Sequence, residues 1–287
     1  MASGSDIRTV TVNLTGGVAP MALTIEADLT QPSHRSILES LGQGRLYEPS
    51  LSKFLVRVLR AGDGFLDVGA HIGYFTLLAS FLVGEAGRVV AIEANPDNHA
   101  WLNRLVAMNA RANVTAVNAV AFDSEGMVDF YTNADNDGGH ALWDPGRHDF
   151  NTKSRAAPRK ETHEAIRIDR LAERLGLNGL RAAKVDTEGA EVSVLRGAGE
   201  FLTPALVPFV VCEVNEFGLA QMGASQKDLR AMMAARGYSC FTFQPDDRLP
   251  SLVPAGAEFV SPYVFNVLFT TPDALGEVWP RVTPFID

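Results

Sequence analysis

Cysteine is scarce in this sequence: Cys212 and Cys240 are the only two among 287 residues. Two cysteines are too few for the disulfide framework of a small secreted domain, and their spacing does not match a zinc site. Each lies within an apolar stretch, where a cysteine is typically a small buried hydrophobic residue. The sequence therefore predicts a reduced, cytoplasmic protein whose fold depends on its hydrophobic core.

Long apolar runs are also lacking. The two longest, residues 75–83 and 205–214, fall well short of the ~20 residues that span a bilayer. The first residues show no basic segment followed by an apolar one, which predicts that there is no signal peptide. We therefore expect a soluble protein without a membrane partner.

An excess of positive charge is missing as well. The 25 Lys and Arg residues are outnumbered by 34 Asp and Glu residues, which gives a formal net charge of −9. Because phosphate backbones attract basic proteins, this balance disfavours nucleic acid as a partner. With 46% hydrophobic and 21% charged residues, the chain has the composition of an ordinary globular protein.

What the sequence does contain is a repeated alternation of strand and helix patterns after residue 60. Two predicted strands at the end follow each other without a helix between them. This order is typical of an α/β fold with a mainly parallel sheet, helices on both faces and an antiparallel edge pair. The predicted strands are 65–68, 88–93, 114–117, 127–132, 182–186, 209–214, 238–243 and 263–269, and the predicted helices are 74–83, 97–109, 190–201 and 226–236.

Two segments interrupt this alternation. Residues 1–60 contain strand patterns at 7–14 and 21–27 and helix patterns at 37–41 and 51–59, but no core pattern of their own. We therefore expect them to form a β-hairpin and helices that cap a single domain over residues 61–287. Residues 133–164 are polar with little periodicity, and a loop this long inside a compact domain is typically functional.

The first strand–turn–helix is the expected place for a ligand, since ligands bind such sheets at the carboxyl ends of the strands. Gly69 and Gly73 allow a sharp turn and a close approach of the backbone to a ligand. The pattern is not the dinucleotide fingerprint, because His71 and Tyr74 occupy the places of its second and third glycines. Asp67 at the strand end instead suits a ligand with a cationic amine. The whole segment reads Asp67-Val-Gly69-Ala70-His71-Ile-Gly73-Tyr74.

Glu93 ends the next predicted strand, 20 residues after Gly73. A carboxylate at this place can accept hydrogen bonds from both hydroxyls of a ribose. Adenosine with an ammonium-bearing tail is S-adenosylmethionine. The turn and Glu93 together therefore indicate S-adenosylmethionine as the cofactor.

A third segment, Lys184-Val-Asp186-Thr-Glu188-Gly-Ala-Glu191, completes the set. Together with residues 67–76 and the segment Ile92-Glu93-Ala94-Asn95-Pro96, it resembles the FkbM family of S-adenosylmethionine-dependent methyltransferases over residues 47–243. The resemblance implies a Rossmann-like class I methyltransferase fold with a seven-stranded sheet. It also implies methylation of hydroxyl groups on sugars or polyketides.

Two departures from the family pattern affect the site. His71 stands where the family commonly has Asn, which changes the contacts to the cofactor tail. The segment 137–143, which includes His140 and Trp143, is not the expected Ser-rich version. We therefore expect an unusual acceptor, contacted by the loop at about residues 133–165.

The resemblance and the fold class together imply the cofactor contacts. In this fold class the segment before the first core helix often closes over the cofactor, and residues after the third core strand contact the adenine. The expected cofactor residues are Tyr47, Asp67, Gly69, Ala70, His71, Gly73, Tyr74, Glu93, Ala94, Asn118, Ala121 and Asp186.

Methyl transfer to a hydroxyl needs an aligned acceptor and a group that removes the hydroxyl proton. Asp186, at the carboxyl end of its strand, is the first candidate, as the base or as a ligand of the acceptor hydroxyl; a helix cap is its structural alternative. Lys184 lies on the same strand face, where it can tune Asp186, hold the acceptor or form a structural ion pair. The further catalytic candidates are His140, Glu188 and Glu213.

No metal is expected, although Asp186 and Glu213 at neighbouring strand ends leave a divalent cation open as the alternative. The expected partner is a small-molecule acceptor of natural product biosynthesis, and the sequence leaves a homodimer open. N-methylation and carboxyl methylation stay open too. The rival functions are a nicotinamide-dependent oxidoreductase, a nucleic-acid methyltransferase and a cofactor-binding module without activity.

Overall fold

The computed structural model describes residues 6–15, 21–244, 248–261, 263–279 and 285–286. The strands are β1 (Ile7–Thr15), β2 (Met21–Asp28), β3 (Gly64–Val68), β4 (Arg88–Glu93), β5 (Val114–Asn118), β6 (Val120–Ala121), β7 (Gly126–Thr132), β8 (Arg159–Ile166), β9 (Ala182–Val185), β10 (Phe209–Val214), β11 (Ser239–Thr242), β12 (Ser251–Leu252), β13 (Phe265–Thr270) and β14 (Phe285–Ile286). The helices are α1 (Pro32–Gly42), α2 (Pro49–Val58), α3 (Tyr74–Val83), α4 (Pro96–Met108), α5 (Thr152–Ala156), α6 (Ile168–Leu175), α7 (Glu191–Gly197), α8 (Glu216–Gln221), α9 (Gln226–Ala235) and α10 (Pro272–Val278).

The central sheet has the strand order β5-β4-β3-β9-β10-β13-β11-β12. Neighbours from β5 to β10 are parallel, whereas β13 is antiparallel to both β10 and β11. The fold is therefore the predicted class I methyltransferase architecture, with a mainly parallel sheet and an antiparallel edge pair. The predicted count of seven strands is exceeded by the two-residue strand β12, which pairs with β11 at the edge.

Helices cover both faces of this sheet, so its parallel strands are buried on both sides. Phe65 of β3 belongs to a buried cluster with Leu77 of α3, on one face. The next residue, Leu66, belongs to the opposite cluster with Leu195 of α7. Cys212 lies in this second cluster, and both cysteines are buried and free, as the sequence predicted.

The helices that flank the site begin where local sequence signals place them. Asn95 Oδ1 accepts hydrogen bonds from the backbone N–H groups of Asp97 (2.9 Å) and Asn98 (3.0 Å), and Pro96 takes the first position of α4. Asn95 therefore caps α4. Helix α3 starts directly after Gly73, whose φ of 95° is readily adopted only by glycine.

The N-terminal segment forms the predicted hairpin, in which β1 and β2 pair antiparallel over eight residue pairs. The β14 strand adds to the other side of β1. Leu23 and Ile25 of β2 belong to the same buried cluster as Leu77. The division of the chain at residue 60 stays a prediction.

The polar segment 133–164 is less irregular than expected. It contains α5 and most of β8, which pairs with β7 and β6 in a small separate sheet. Residues 159–164 are polar and mostly exposed, so the strand carries no alternating apolar pattern that would predict it.

The predicted helix over residues 190–201 is also shorter, since α7 ends at Gly197 and a 3-10 turn follows over Gly199–Phe201. Gly197 packs so tightly that a Cβ atom there would overlap the carbonyl oxygen of Phe122. In the described part of the chain, no helix is both long and apolar enough to cross a bilayer.

Candidate active site

A cavity of about 310 Å³ lies at the carboxyl ends of β3, β4, β9 and β10. The strand order reverses between β3 and β9, which is where ligands bind in open α/β sheets. The sequence-predicted residues that line it are Tyr47, Gly69, Ala70, His71, Tyr74, Glu93, Ala94, Ala121, His140, Lys184, Asp186, Glu188 and Glu213. Asp67, Gly73 and Asn118 were also expected at the cofactor but do not line the cavity.

The glycine turn brings β3 against the end of β9. Gly69 has a φ of 76°, and a Cβ atom there would overlap the carbonyl oxygen of Asp186. Gly73 has a φ of 95°, and a Cβ atom there would clash with the side chain of Leu102. Both glycines are required by backbone shape. Gly73 therefore supports the turn from behind instead of contacting a ligand.

Asp67 lies beneath the turn and is fully buried. Thr76 Oγ1 donates a hydrogen bond to its Oδ2 atom at 2.6 Å, and Lys184 Nζ lies 3.8 Å from Oδ1. Side chains alternate along a strand, so Asp67 points to the same face as Phe65, toward α3. In this structure Asp67 holds Thr76 and Lys184 behind the cavity wall, and its expected contact with a cofactor amine stays a prediction.

Glu93 lines the cavity and fixes the turn at the same time. Its Oε2 atom accepts a hydrogen bond from the backbone N–H of His71, and its Oε1 atom accepts one from Asn95, both at 2.8 Å. Burial raises the pKa of this carboxyl. Asn118 supports the strand end from outside, since its Nδ2 donates to the carbonyl oxygens of Glu93 (2.8 Å) and Ala94 (3.0 Å). Asn118 therefore shapes the site without lining it.

Lys184 and Asp186 form a charged pair at the end of β9. Lys184 Nζ lies 2.9 Å from Asp186 Oδ2 and donates to the carbonyl oxygen of Gly69 at 3.2 Å. Burial opposes the charge on Lys184, but the neighbouring carboxylates of Asp186, Asp67 and Glu48 outweigh it and raise its pKa. The pair ties the turn to β9 and leaves Asp186 at the cavity wall.

Asp186, Glu188 and Glu213 place carboxylate oxygens within 4.8 Å of one another. Burial and the charge of Asp186 raise the pKa of Glu188 to about 8, and the same causes raise that of Glu213 well above its usual value. Asn215 Nδ2 donates to Glu188 Oε2 at 2.8 Å, whereas Glu213 Oε2 is buried with no hydrogen-bond partner among the described residues. Glu188 has a φ of 55°, an uncommon conformation that often occurs at functional sites.

His140 lines the cavity from the loop after β7. Its Nδ1 atom accepts a hydrogen bond from the backbone N–H of Asn133 at 2.9 Å, so the proton of the neutral ring lies on Nε2. Burial lowers the pKa of His140 to about 4. In this geometry His140 presents a donor to the cavity, which does not suit the expected role of general base.

Comparison with known proteins identifies the family. The methyltransferase FkbM domain matches residues 67–240, which is more than half of the chain. The chain belongs to the FkbM methyltransferase family. It is therefore an S-adenosylmethionine-dependent methyltransferase, and the oxidoreductase alternative falls away. No curated protein matches the sequence significantly.

Solved structures with a similar fold include several other methyltransferases. A SAM-dependent methyltransferase from Aquifex aeolicus is 13% identical with a TM-score of 0.41, over 77% of this chain and 88% of that one. Aeropyrum pernix fibrillarin with bound S-adenosyl-L-methionine is also 13% identical with a TM-score of 0.41, over 91% and 98%. A precorrin-6y C5,15-methyltransferase from Geobacter metallireducens has the same two values, over 79% and 89%. The family assignment rests on the domain match.

The residues of this FkbM-family methyltransferase fit its cofactor. Glu93 faces the cavity beside the turn, where its carboxylate can accept hydrogen bonds from ribose hydroxyls. Helix α3 points its N-terminus at the turn, which favours an anionic group there. Asp186 lines the cavity, where its carboxylate suits a cationic sulfonium.

Two features of the methyltransferase site depend on contacts between distant segments: Glu48 belongs to the segment that was expected to close over the cofactor, whereas the pairing of Ser33 with Asn136 was not predicted. Glu48 lines the cavity, and its Oε2 atom accepts a hydrogen bond from Asn266 Nδ2 at 3.2 Å. Ser33 of α1 and Asn136 of the loop line it too and are joined by a 2.7 Å hydrogen bond. These contacts join segments far apart in sequence, and no local pattern marks them.

The carboxylates of Asp186, Glu188 and Glu213 are hard ligands of the kind that divalent cations prefer. Lys184 already pairs with Asp186, and Asn215 with Glu188, so two of the three carboxylates have partners within the protein. The expectation that the methyltransferase needs no metal stays a prediction.

Replacing Glu93 by alanine is expected to weaken cofactor binding roughly 5–150-fold, because about 1–3 kcal/mol of hydrogen bonding is lost. Isothermal calorimetry with S-adenosylhomocysteine measures this. Asn118→Ala is the matched control, since Asn118 touches the same strand end without lining the cavity. Equal affinities of Glu93→Ala and the wild type, with the fold intact, would refute the ribose assignment.

Proposed function

We propose that this methyltransferase transfers a methyl group to a hydroxyl of a small polyhydroxylated metabolite, such as a sugar, a glycoside or a polyketide-type natural product, in the cytoplasm. The observation that carries the proposal is the buried pair of Glu188 and Glu213 beside Asp186. A hydroxyl needs a proton acceptor during methyl transfer, and a carboxylate whose pKa is raised toward neutrality serves this purpose.

The environments of the three carboxylates divide their roles. Asp186 is held by Lys184 through one oxygen at 2.9 Å, so it is fixed in place and suited to orient the acceptor hydroxyl. Glu213 Oε2, without a partner among the described residues, is the proton acceptor.

The reaction then follows from alignment and proton transfer. S-adenosylmethionine supplies a methyl group on a cationic sulfur. Glu213 Oε2 accepts the hydroxyl proton as the hydroxyl oxygen forms a bond to the methyl carbon and the carbon–sulfur bond breaks. Asp186 fixes the direction of attack, and good alignment lowers barriers of this kind by up to ~7–11 kcal/mol.

We propose that the partner is a small-molecule acceptor and not a nucleic acid. The formal net charge of −9 disfavours binding to a phosphate backbone. N-methylation and carboxyl methylation are the competing reactions. The pair of Glu188 and Glu213 favours the hydroxyl, since a neutral amine attacks a sulfonium without prior loss of a proton.

The proposal is tested with a panel of hydroxylated, amine-bearing and carboxylate-bearing acceptors, each incubated with S-adenosylmethionine. Mass spectrometry of the products and release of S-adenosylhomocysteine are the readouts. We expect turnover with hydroxylated acceptors and an O-methyl product. Turnover confined to amines or carboxylates, or to RNA, would overturn the proposal.

The rate constant kcat should rise with pH through about 8. The pKa of Glu188 is about 8 and that of Glu213 is raised well above its usual value, so at lower pH the pair holds protons and cannot accept another, and it gains a proton-accepting carboxylate as the pH rises. The measurement is kcat at saturating cofactor and acceptor in overlapping buffers. If His140 were the base, kcat would level off above about pH 5, because the pKa of His140 is about 4.

A further inference from the structure

Asp137 connects three segments that line the cofactor cavity through its buried carboxylate. Its Oδ1 atom accepts a hydrogen bond from the backbone N–H of Ser33 in α1 at 2.9 Å. Its Oδ2 atom lies 2.8 Å from Nε2 of His71 in the glycine turn. Asp137 itself belongs to the loop that supplies Asn136 and His140 to the cavity. The side chain of the N-cap residue Gln31 makes no cap bond, so Asp137 caps α1 from a distant part of the chain.

The third neighbour of Asp137 is His34, which is almost completely buried. His34 Nδ1 accepts a hydrogen bond from the backbone N–H of Asp28 at 3.1 Å, so its proton lies on Nε2, 3.6 Å from Asp137 Oδ2. Burial lowers the pKa of His34 to about 4, which keeps the ring neutral. Because His34 Nε2 carries a proton, it cannot ligate a metal, although His34, His71 and Asp137 are close enough to share one.

His71 is oriented by these contacts. Its backbone N–H is held by Glu93, and its Nε2 donates to the Asp137 carboxylate, so Nδ1 is the ring nitrogen left to face a ligand. The titratable groups around the ring are Asp137, Glu93, His34 and His140. Two of these are acids, and the two imidazoles are neutral because burial lowers their pKa values to about 4.

We propose that Asp137 is a positioning residue that holds His71 as a cationic ligand for the carboxylate of the cofactor, and that cofactor binding takes up a proton at His71. Three observations support this. His71 lines the cavity, α3 points its N-terminus at the same turn, and Asp137 lies behind the ring, on the side away from Nδ1. The proposal concerns only the cofactor, so it does not depend on the acceptor.

The test is calorimetry of S-adenosylhomocysteine binding to the whole chain in buffers of different ionisation enthalpy. These measurements give the number of protons taken up. We expect proton uptake by the wild type and none by His71→Asn. For Asp137→Asn we expect reduced uptake and an affinity at least about tenfold lower. Wild-type affinity and uptake in Asp137→Asn would overturn the proposal.

A second ligand separates positioning from a loss of structure. 5′-Methylthioadenosine contains the adenosine part of the cofactor but no carboxylate. We expect Asp137→Asn to bind it like the wild type, because Asn can still accept the hydrogen bond from Ser33 and cap α1. An equal loss of affinity for both ligands would assign Asp137 a merely structural role.

Asp135→Asn is the matched control. Asp135 lies in the same loop, and its carboxylate accepts hydrogen bonds from the backbone N–H groups of Lys153 (3.0 Å) and Ser154 (2.8 Å), away from the cavity lining. We expect this variant to bind S-adenosylhomocysteine with wild-type affinity and proton uptake. The same defect in Asp135→Asn as in Asp137→Asn would mean that loop order, and not His71, controls cofactor binding.

Discussion

Replacing Glu213 by glutamine is expected to lower kcat by ~10²–10⁴-fold, the contribution of a positioned proton acceptor. Glutamine has nearly the same shape but cannot accept the hydroxyl proton as a carboxylate does. Affinity for S-adenosylhomocysteine should stay near that of the wild type, because its sulfur is uncharged. Single-turnover kinetics and calorimetry measure the two quantities separately.

The pH profile distinguishes the proton acceptor from its neighbours. In Glu213→Gln the rise of kcat with pH should disappear, because glutamine does not ionise. In Asp186→Asn we expect a lower kcat with the rise retained, since Asp186 orients the acceptor. His140→Gln should change kcat little, because His140 donates from Nε2. A near-normal kcat and pH profile in Glu213→Gln would show that the proton acceptor lies elsewhere.

Replacing Gly69 by alanine is expected to abolish cofactor binding and to destabilise the fold by more than about 4 kcal/mol. The new Cβ atom would overlap the carbonyl oxygen of Asp186, and the φ of 76° is unfavourable for alanine. Backbone would have to move on both sides of the contact. Chemical denaturation and calorimetry with S-adenosylhomocysteine measure the two effects.

Gly84→Ala is the matched control for this change. Gly84 also has a positive φ, of 65°, but a Cβ atom there meets nothing within 4 Å. The cost should therefore be that of the backbone conformation alone, about 1–3 kcal/mol, with normal cofactor binding. Equal losses of stability in the two variants would mean that the close approach of Gly69 to β9 does not contribute to the stability of the fold.

The central sheet and the glycine turn could be predicted because local sequence patterns indicate both. Alternating strand and helix signals fix the order of β3, β4 and β9 with their helices. The positions of Gly69 and Glu93 follow from that order, since both come at strand ends. Because side chains alternate along a strand, Lys184 and Asp186 were also predicted to lie on one face.

The same rule places Asp67 of β3 on the face of Phe65, which is covered by α3. Its Oδ1 atom is buried without a hydrogen-bond partner among the described residues, and its expected contact with a cofactor amine stays a prediction.

The contacts of Asp137 could not be predicted, because they join residues that are 104 and 66 positions apart, Ser33 and His71. No periodicity links such residues, and the capping residue of α1 is normally sought next to the helix. Glu48 and Asn266 are even further apart. Strand β8 could not be predicted for a different reason: its residues are mostly polar and exposed, so apolar and polar residues do not alternate along it.

The distant cap of α1 has a consequence for the order in which the protein forms during synthesis. Ser33 leaves the ribosome 104 residues before Asp137. At about 5–20 residues per second, the first turn of α1 waits roughly 5–20 s for its cap. Until then α1 has an unsatisfied N-terminus, and the N-terminal wall of the cavity can become ordered only after the cofactor turn has been made.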